Sequence, residues 1–165
     1  MKQVSFVLIV LVTLFLAGCT ISDEELTKTT IDATKQSFEG KSINANEKTA
    51  LFSYYLPEGF SVKETKKYNV LLEKGNQSYI LFVNQNEEAT SNVSYETLTK
   101  QYKNPFISEI FKDSKRFGYL YVNKLEKGMY EVTVGIGGTK LTTEAKANNV
   151  AEDAKHMMDI VASVQ

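Results

Sequence analysis

The sequence predicts an α+β fold, an antiparallel β-sheet flanked by an N-terminal and a C-terminal helix in an α/β/α sandwich. Three observations carry this expectation. Helix signals are strongest near residues 22–39 and again from Asn149 to the end. Between them, apolar residues recur with period two in short runs parted by Gly-containing turns, the pattern of antiparallel hairpins. Several runs, such as Tyr79-Ile80-Leu81-Phe82-Val83, are apolar on both faces. A sheet wet on one side alternates more cleanly, so helices are expected to cover both faces.

Ser22 and Glu25 have capping-box spacing, with Ile21 and Leu26 placed as a hydrophobic staple, so a helix starts there. It runs to about Glu39, with Gly40 as its stop. Its apolar residues, Leu26, Ile31, Ala33 and Phe38, define a narrow stripe: the helix either lies on the domain or stands as a stalk. Residues 40–49 are a polar loop. Residues 51–56, "LFSYYL", form a strand that Pro57-Glu58-Gly59 turns, and Phe60 and Val62 begin the next. "YNVLLEK" and "QSYILFVN" flank Gly75-Asn76 as a tight hairpin, followed by a polar loop at 84–92.

Ser94 is the expected N-cap of a helix to Lys103, which Asn104-Pro105 interrupts; Phe106, Ile107, Ile110 and Phe111 then form a second helical turn. Beyond it, Phe117, Tyr119 and Tyr121 face one way, and Gly118, Leu120 and Val122 the other. Lys127-Gly128 turns the chain, Tyr130, Val132, Val134 and Ile136 line one face, and Gly137-Gly138 turns it again. Asn149 caps the closing helix, with Glu152 in capping-box spacing and a stripe of Val150, Ala154, Met157, Val161 and Val164.

This order, from "FSYYLPEGF" through the hairpin, a helical middle and further strands to "HMMDIVASVQ", resembles the PsbP-like α/β/α sandwich over residues 22–165. The resemblance implies an extrinsic assembly or stabilising subunit; it carries no functional residue onto this chain.

The first residues say where the protein acts. Lys2 makes a basic start, Val4 to Leu16 are apolar apart from Ser5 and Thr13, and small residues follow. That is an export signal, too short for a span of about 20 residues. It ends in Leu16-Ala17-Gly18-Cys19, which resembles the lipobox of bacterial lipoproteins. The resemblance implies a signal peptide at 1–18, cleavage before Cys19, a diacylglyceryl group on its sulfur, and a tether at 19–21 ahead of one globular domain at 22–165. Two acyl chains hold a protein stably on a membrane where one does not. The expected location is the outer side of a bacterial cell membrane, with a Gram-positive cell favoured. Cys19 is the only cysteine, so no disulfide forms. Removing 18 of 165 residues leaves 147, and losing Lys2 leaves 18 basic against 20 acidic side chains, net −2. That balance gives no pull toward nucleic acid.

Chemistry is sparse. His156 is the only histidine and has no thiol to activate, and zinc needs more nitrogen or sulfur ligands than the chain holds. Gly135-Ile136-Gly137-Gly138-Thr139-Lys140 lacks Walker spacing and lies among strand signals, so it is a hairpin turn. Glu87 and Glu88 sit in a solvated loop without the spacing of a calcium loop. No catalytic residue, metal ligand or cofactor is therefore nominated. The candidate interaction residues are Tyr55, beside the Pro57 turn, and Lys63, Lys66 and Lys67 of the basic cluster "KETKK". The expected function is a non-enzymatic, membrane-anchored accessory domain that engages an envelope protein or polymer. The alternatives are a small-ligand module with a pocket between sheet and helices and, last, an enzyme built on carboxylates and tyrosines.

Overall fold

The structure is a computed structural model that describes residues 21–165, so the expectations for the signal peptide and Cys19 lie outside the described residues. Helix α1 spans Asp23–Glu39. Ser22 caps it, its side chain accepting the Glu25 N–H at 3.1 Å, and Asp23, Glu24 and Glu25 place negative charge at the positive end of the helix dipole. Gly40 ends it in extended conformation, its N–H donating to the Gln36 carbonyl at 3.0 Å.

The buried stripe is Leu26, Thr30, Thr34 and Phe38 rather than one through Ile31 and Ala33. Each threonine satisfies its hydroxyl within the helix: Thr30 donates to the Leu26 carbonyl at 2.6 Å and Thr34 to the Thr30 carbonyl at 2.7 Å. With their polar atoms spent on the backbone, both act as small apolar surfaces against the closing helix, α3 (Val150–Ala162). The first helix therefore packs on the domain and is not a stalk.

A small ribbon of β1 (Glu47–Lys48) and β2 (Ser53–Tyr54) follows. The expected strand to Leu56 stops early because side chains capture the next two amides: Ser163 Oγ accepts from Tyr55 N and Asn46 Oδ1 from Leu56 N, both at 2.7 Å.

The main sheet holds β3 (Phe60–Thr65), β4 (Asn69–Lys74), β5 (Gln77–Val83), β6 (Ile107–Lys112), β7 (Phe117–Lys124), β8 (Met129–Ile136) and β9 (Thr139–Lys146). Their order is β3-β4-β5-β9-β8-β7-β6, every pair antiparallel. Gly75, at φ +60, makes the two-residue turn that sets Lys74 opposite Gln77. The α+β class, with N- and C-terminal helices flanking an antiparallel sheet, is thus the fold of the molecule.

Two further expectations fail. Residues 107–112 form β6, not a helical turn: Ile107 and Phe111 are buried while Ser108 and Ile110 face out, and pairing with β7 settles the period. Helix α2 (Val93–Gln101) starts earlier than expected, with Asn92 rather than Ser94 at the N-cap position, where the Asn92 side chain donates to Glu96 Oε1 instead of capping a backbone amide.

β5 is the third of the seven strands and finishes at the far end from where the edge strand β6 begins, so α2 carries the chain back across the sheet. It covers β7, where Leu98 packs on Phe117, Tyr119 and Tyr121, with Tyr95 and Tyr102 beside them. The other face belongs to α1 and α3. There Val70, Leu72, Leu81, Leu120, Val122, Val132, Val134 and Leu141 meet Met157, Met158 and Ile160, all fully shielded from solvent.

Tyr119 lies across β8, where a Cβ on Gly135 would come within 2.2 Å of its ring, so only glycine leaves room. Its buried hydroxyl has no hydrogen-bond partner; burial first, then Glu87, pushes the phenol above its ordinary value, and the nearby Ser94 side chain opposes this only in part without closing a bond. An unpaired buried hydroxyl costs about 1–3 kcal/mol. Tyr119→Phe is accordingly expected to raise stability by about 1 kcal/mol, read as a higher urea midpoint at unchanged slope; a lower midpoint would show that the hydroxyl is satisfied.

Candidate interaction surface

The outer face of the sheet is covered on one side only. Two cross-strand rows show this. One runs Glu64, Leu71, Ile80, Thr142, Thr133, Tyr121, and the next Asn69, Phe82, Lys140, Gly135, Tyr119. Both rows end under α2 and begin in the open. Ile80, mid-strand in a seven-stranded sheet, is 54 % exposed, and Leu71 and Phe82 are half-buried beside it. A large apolar residue left so open at the middle of a strand is the informative kind of exposure.

Charged groups frame this strip. Lys63 Nζ lies 2.9 Å from Glu73 Oε1, and Lys66 Nζ 3.2 Å from Glu64 Oε1. Lys140 Nζ stands 5.7 Å from the centre of the Phe82 ring. An open groove of about 770 Å³ runs along the strip, touching Leu71, Lys74, Gln77, Ile80, Thr142 and Lys146. Apolar centre and ion-paired rim is the anatomy of a protein-binding patch. The free edge at β3 is guarded: a bulge between Val62 and Glu64 breaks its ladder and Lys63 projects from it, so strand addition is disfavoured.

Of the residues nominated from sequence, the structure brings Lys63 and Lys66 to this rim. Their charges are paired with acids, so they border the apolar strip rather than form a free basic patch. Lys67 sits over the Tyr68 ring, 4.9 Å from its centre, at the β3–β4 turn. Tyr55 is half-buried, its amide held by Ser163, and among the described residues no lysine stacks on it. Leu71, Ile80 and Phe82 were the residues sequence reasoning missed. The signal is present, since "YILFV" is apolar on both faces, but such a run fits a covering helix as well as an outside partner.

The densest polar cluster lies behind the sheet, where α3 begins. Asp153, 3 % exposed, accepts from Tyr79 OH and from Gln77 Nε2, both at 2.8 Å. Gln77 Nε2 also reaches Thr143 Oγ1 at 3.1 Å. Burial first, then the bond to Asp153, pushes the Tyr79 phenol well above its ordinary value, so it serves neither as base nor as nucleophile near neutral pH. Lys74 Nζ, 2.9 Å from Glu152 Oε1, holds that carboxyl below its usual range. His156 Nε2 stands 3.5 Å from the same oxygen and its ring packs 6.0 Å from Phe60. The arrangement pins a helix to a sheet.

Elsewhere, Glu87 accepts from Asn84 Nδ2 and Ser91 Oγ, both at 2.9 Å, which stitches the 84–91 loop together. Arg116 binds Asp113 and the Phe38 carbonyl and lies over the Phe38 ring. Among the described residues, no His, Cys, Asp or Glu cluster is placed to hold a metal ion, and no helix is long and apolar enough to cross a membrane.

Neither a model of a known protein family nor any curated protein matches the chain.

Proposed function

We propose that this chain is a lipid-anchored, extracytoplasmic accessory domain that docks a protein partner on the bare half of its outer sheet face. The observation that carries this is the Leu71–Ile80–Phe82 strip with its ion-paired rim. Support for the anchor is the lipobox-like Leu16-Ala17-Gly18-Cys19, and the PsbP-like order of elements fits an extrinsic accessory role. A protein partner suits the strip better than a polymer because apolar surface, not free charge, dominates it. A small-ligand pocket between sheet and helices finds less support: Val134, Leu141, Met157 and Met158 are fully buried in the middle of that layer, and in the hollow of about 320 Å³ at its end, beside Val83, Ile136 and Val161, the charged Glu87 and Arg116 are already bonded to neighbouring groups.

The test is Ile80→Asp in the full-length, lipidated protein, with crosslinking and recovery from membranes. Ile80 is more exposed than buried, so stability is expected to change by no more than about 0.5 kcal/mol. Partner capture is expected to fall about tenfold. Recovery of the same partner by both forms, or of none by the natural protein under several growth conditions, would overturn the reading. Mass spectrometry of the amino-terminal peptide tests the anchor separately: Cys19 found unmodified removes it.

A further inference from the structure

We infer that the β7–β8 end of the sheet lies against the lipid head groups, so that the strands stand along the membrane normal and the bare face looks sideways. This rests on the lipid-anchor reading and adds to it which surface meets the membrane.

The start of α1 marks the attachment point. Asp23 is ion-paired with Lys124, the last residue of β7, and Ile21 packs against the core. The helix therefore begins at the end of the sheet that carries the turn at 125–128. Cys19 precedes Ser22 by three residues, a reach of at most about 10 Å. β7 alone has eight residues and spans roughly 27 Å. The opposite end, with Gly137-Gly138 and residues 113–116, is out of reach of lipid unless the domain lies flat. Because α1 packs on the sheet instead of standing free, no stalk relaxes that limit.

The chemistry of this end suits the head-group layer. Leu125 is 39 % exposed at the tip of the turn. Beside it, Tyr102, Lys103, Asn104, Phe106 and Lys124 line a hollow of about 470 Å³. Aromatic bodies with polar tips, and lysines whose stems lie along apolar surface, are what the interface accommodates. Lys124 does this visibly, its Nζ 4.5 Å from the centre of the Phe106 ring. Charge does not drive the contact: Lys100, Lys103, Lys124 and Lys127 are matched by Asp23, Glu24, Glu25 and Glu126. The acyl chains hold the protein, and this end is shaped to rest on the surface. Contact should therefore persist in high salt and on neutral lipid.

The consequence for recognition is directional. Ile80 is the fourth of seven residues in β5, whose first residue, Gln77, lies at the membrane-facing end, so the strip sits roughly 10 Å along the strand from that end. The partner it fits is a second protein held on the same membrane, approaching from the side.

The chain has no tryptophan, so a single introduced one reports depth without background. Leu125→Trp and, as a second reporter on the same turn, Lys127→Trp are compared with Leu51→Trp. Leu51 lies at the far end, its carbonyl accepting from Gln85 Nε2 at 2.6 Å. Each full-length lipidated variant is bound to vesicles of neutral lipid and, separately, of 30 % anionic lipid, both containing a brominated acyl chain. Quenching for the two turn reporters is expected to exceed that for Leu51→Trp by roughly threefold in both vesicles. Equal quenching at both ends, or stronger quenching of Leu51→Trp, with protein still floating on the vesicles, overturns the orientation and leaves the anchor. Protein that fails to float overturns the anchor, and the orientation with it.

Discussion

Between pH 9 and pH 11 the fold is expected to lose about 4 kcal/mol and to unfold cooperatively soon above that range. Tyr54, Tyr79 and Tyr119 are 1 %, 0 % and 0 % exposed. Burial pushes the Tyr54 phenol up to about 12, helped by Glu47. Burial likewise raises Tyr79, with Asp153 adding to it, and Tyr119, with Glu87 adding to it. In the unfolded chain each phenol ionises near 10. Below that value both states hold their protons and the phenols make stability no more pH-dependent. Above it the unfolded chain releases protons that the native state keeps, so stability falls as pH rises, by up to 1.36 kcal/mol per pH unit for each phenol. Three phenols together approach the whole stability of an ordinary domain within two units. Tyrosinate absorbance and near-ultraviolet circular dichroism should therefore change together in one steep step for these buried rings. Smooth ionisation of all nine tyrosines with native dichroism retained would refute this.

Asp153→Ala is expected to cost about 3 kcal/mol, and Asp153→Asn about half as much. The alanine leaves the fully buried Tyr79 hydroxyl without an acceptor and takes one of two from Gln77 Nε2. An orphaned buried donor costs about 1–3 kcal/mol, and bonds to a charged group are the stronger kind. Asp153 also lies in the first turn of α3, where a carboxylate favours the helix dipole by about 0.3–1 kcal/mol. Asparagine keeps an acceptor for Tyr79 but sets an amide against the Gln77 amide. Guanidinium unfolding of the single variants and of each with Tyr79→Phe separates the pair term from the rest. A loss below about 0.5 kcal/mol for Asp153→Ala would mean that water replaces the carboxylate and that the network does not hold the helix.

This network shows where a one-dimensional reading stops. Asp153 lies next to Glu152 and reads as one of two acids in a helix's first turn, yet one faces solvent and the other is sealed. Burial depends on how α3 is rotated on the sheet, which the Ala154 and Met157 stripe indicates only to within one position. Thr30 and Thr34 pose the same difficulty from the other side. Their side chains count as polar in any periodicity scheme, and they become core surface only because the helix's own carbonyls take their protons. Phe106, Ile107, Ile110 and Phe111 fit helical spacing, so the sequence alone points to a helical turn where the structure has β6. Pairing along the whole length of β7 outweighs that weak local preference. Of the nominated surface, Lys63 and Lys66 were legible as charge, but their acid partners, Glu73 and Glu64, depend on strand pairing and a bulge.

By itself the amino-acid order determined the capped first helix, the Gly75-Asn76 and Gly137-Gly138 hairpins, the two-faced alternation from Phe117 to Val122, and the closing helix. All of these follow from forces acting over a few residues: cap hydrogen bonds, turn dihedrals, and the period at which side chains reach one side. Only the tertiary structure decided that α1 and α3 share one face and that α2, crossing from the end of β5 to the start of β6, shields β7 and leaves β4, β5 and β9 bare. Coverage is a property of where a crossing lands. The apolar run at 79–83 is equally compatible with a helix above it and with a partner from outside, and the path of the chain between residues 84 and 107 leaves the second possibility open.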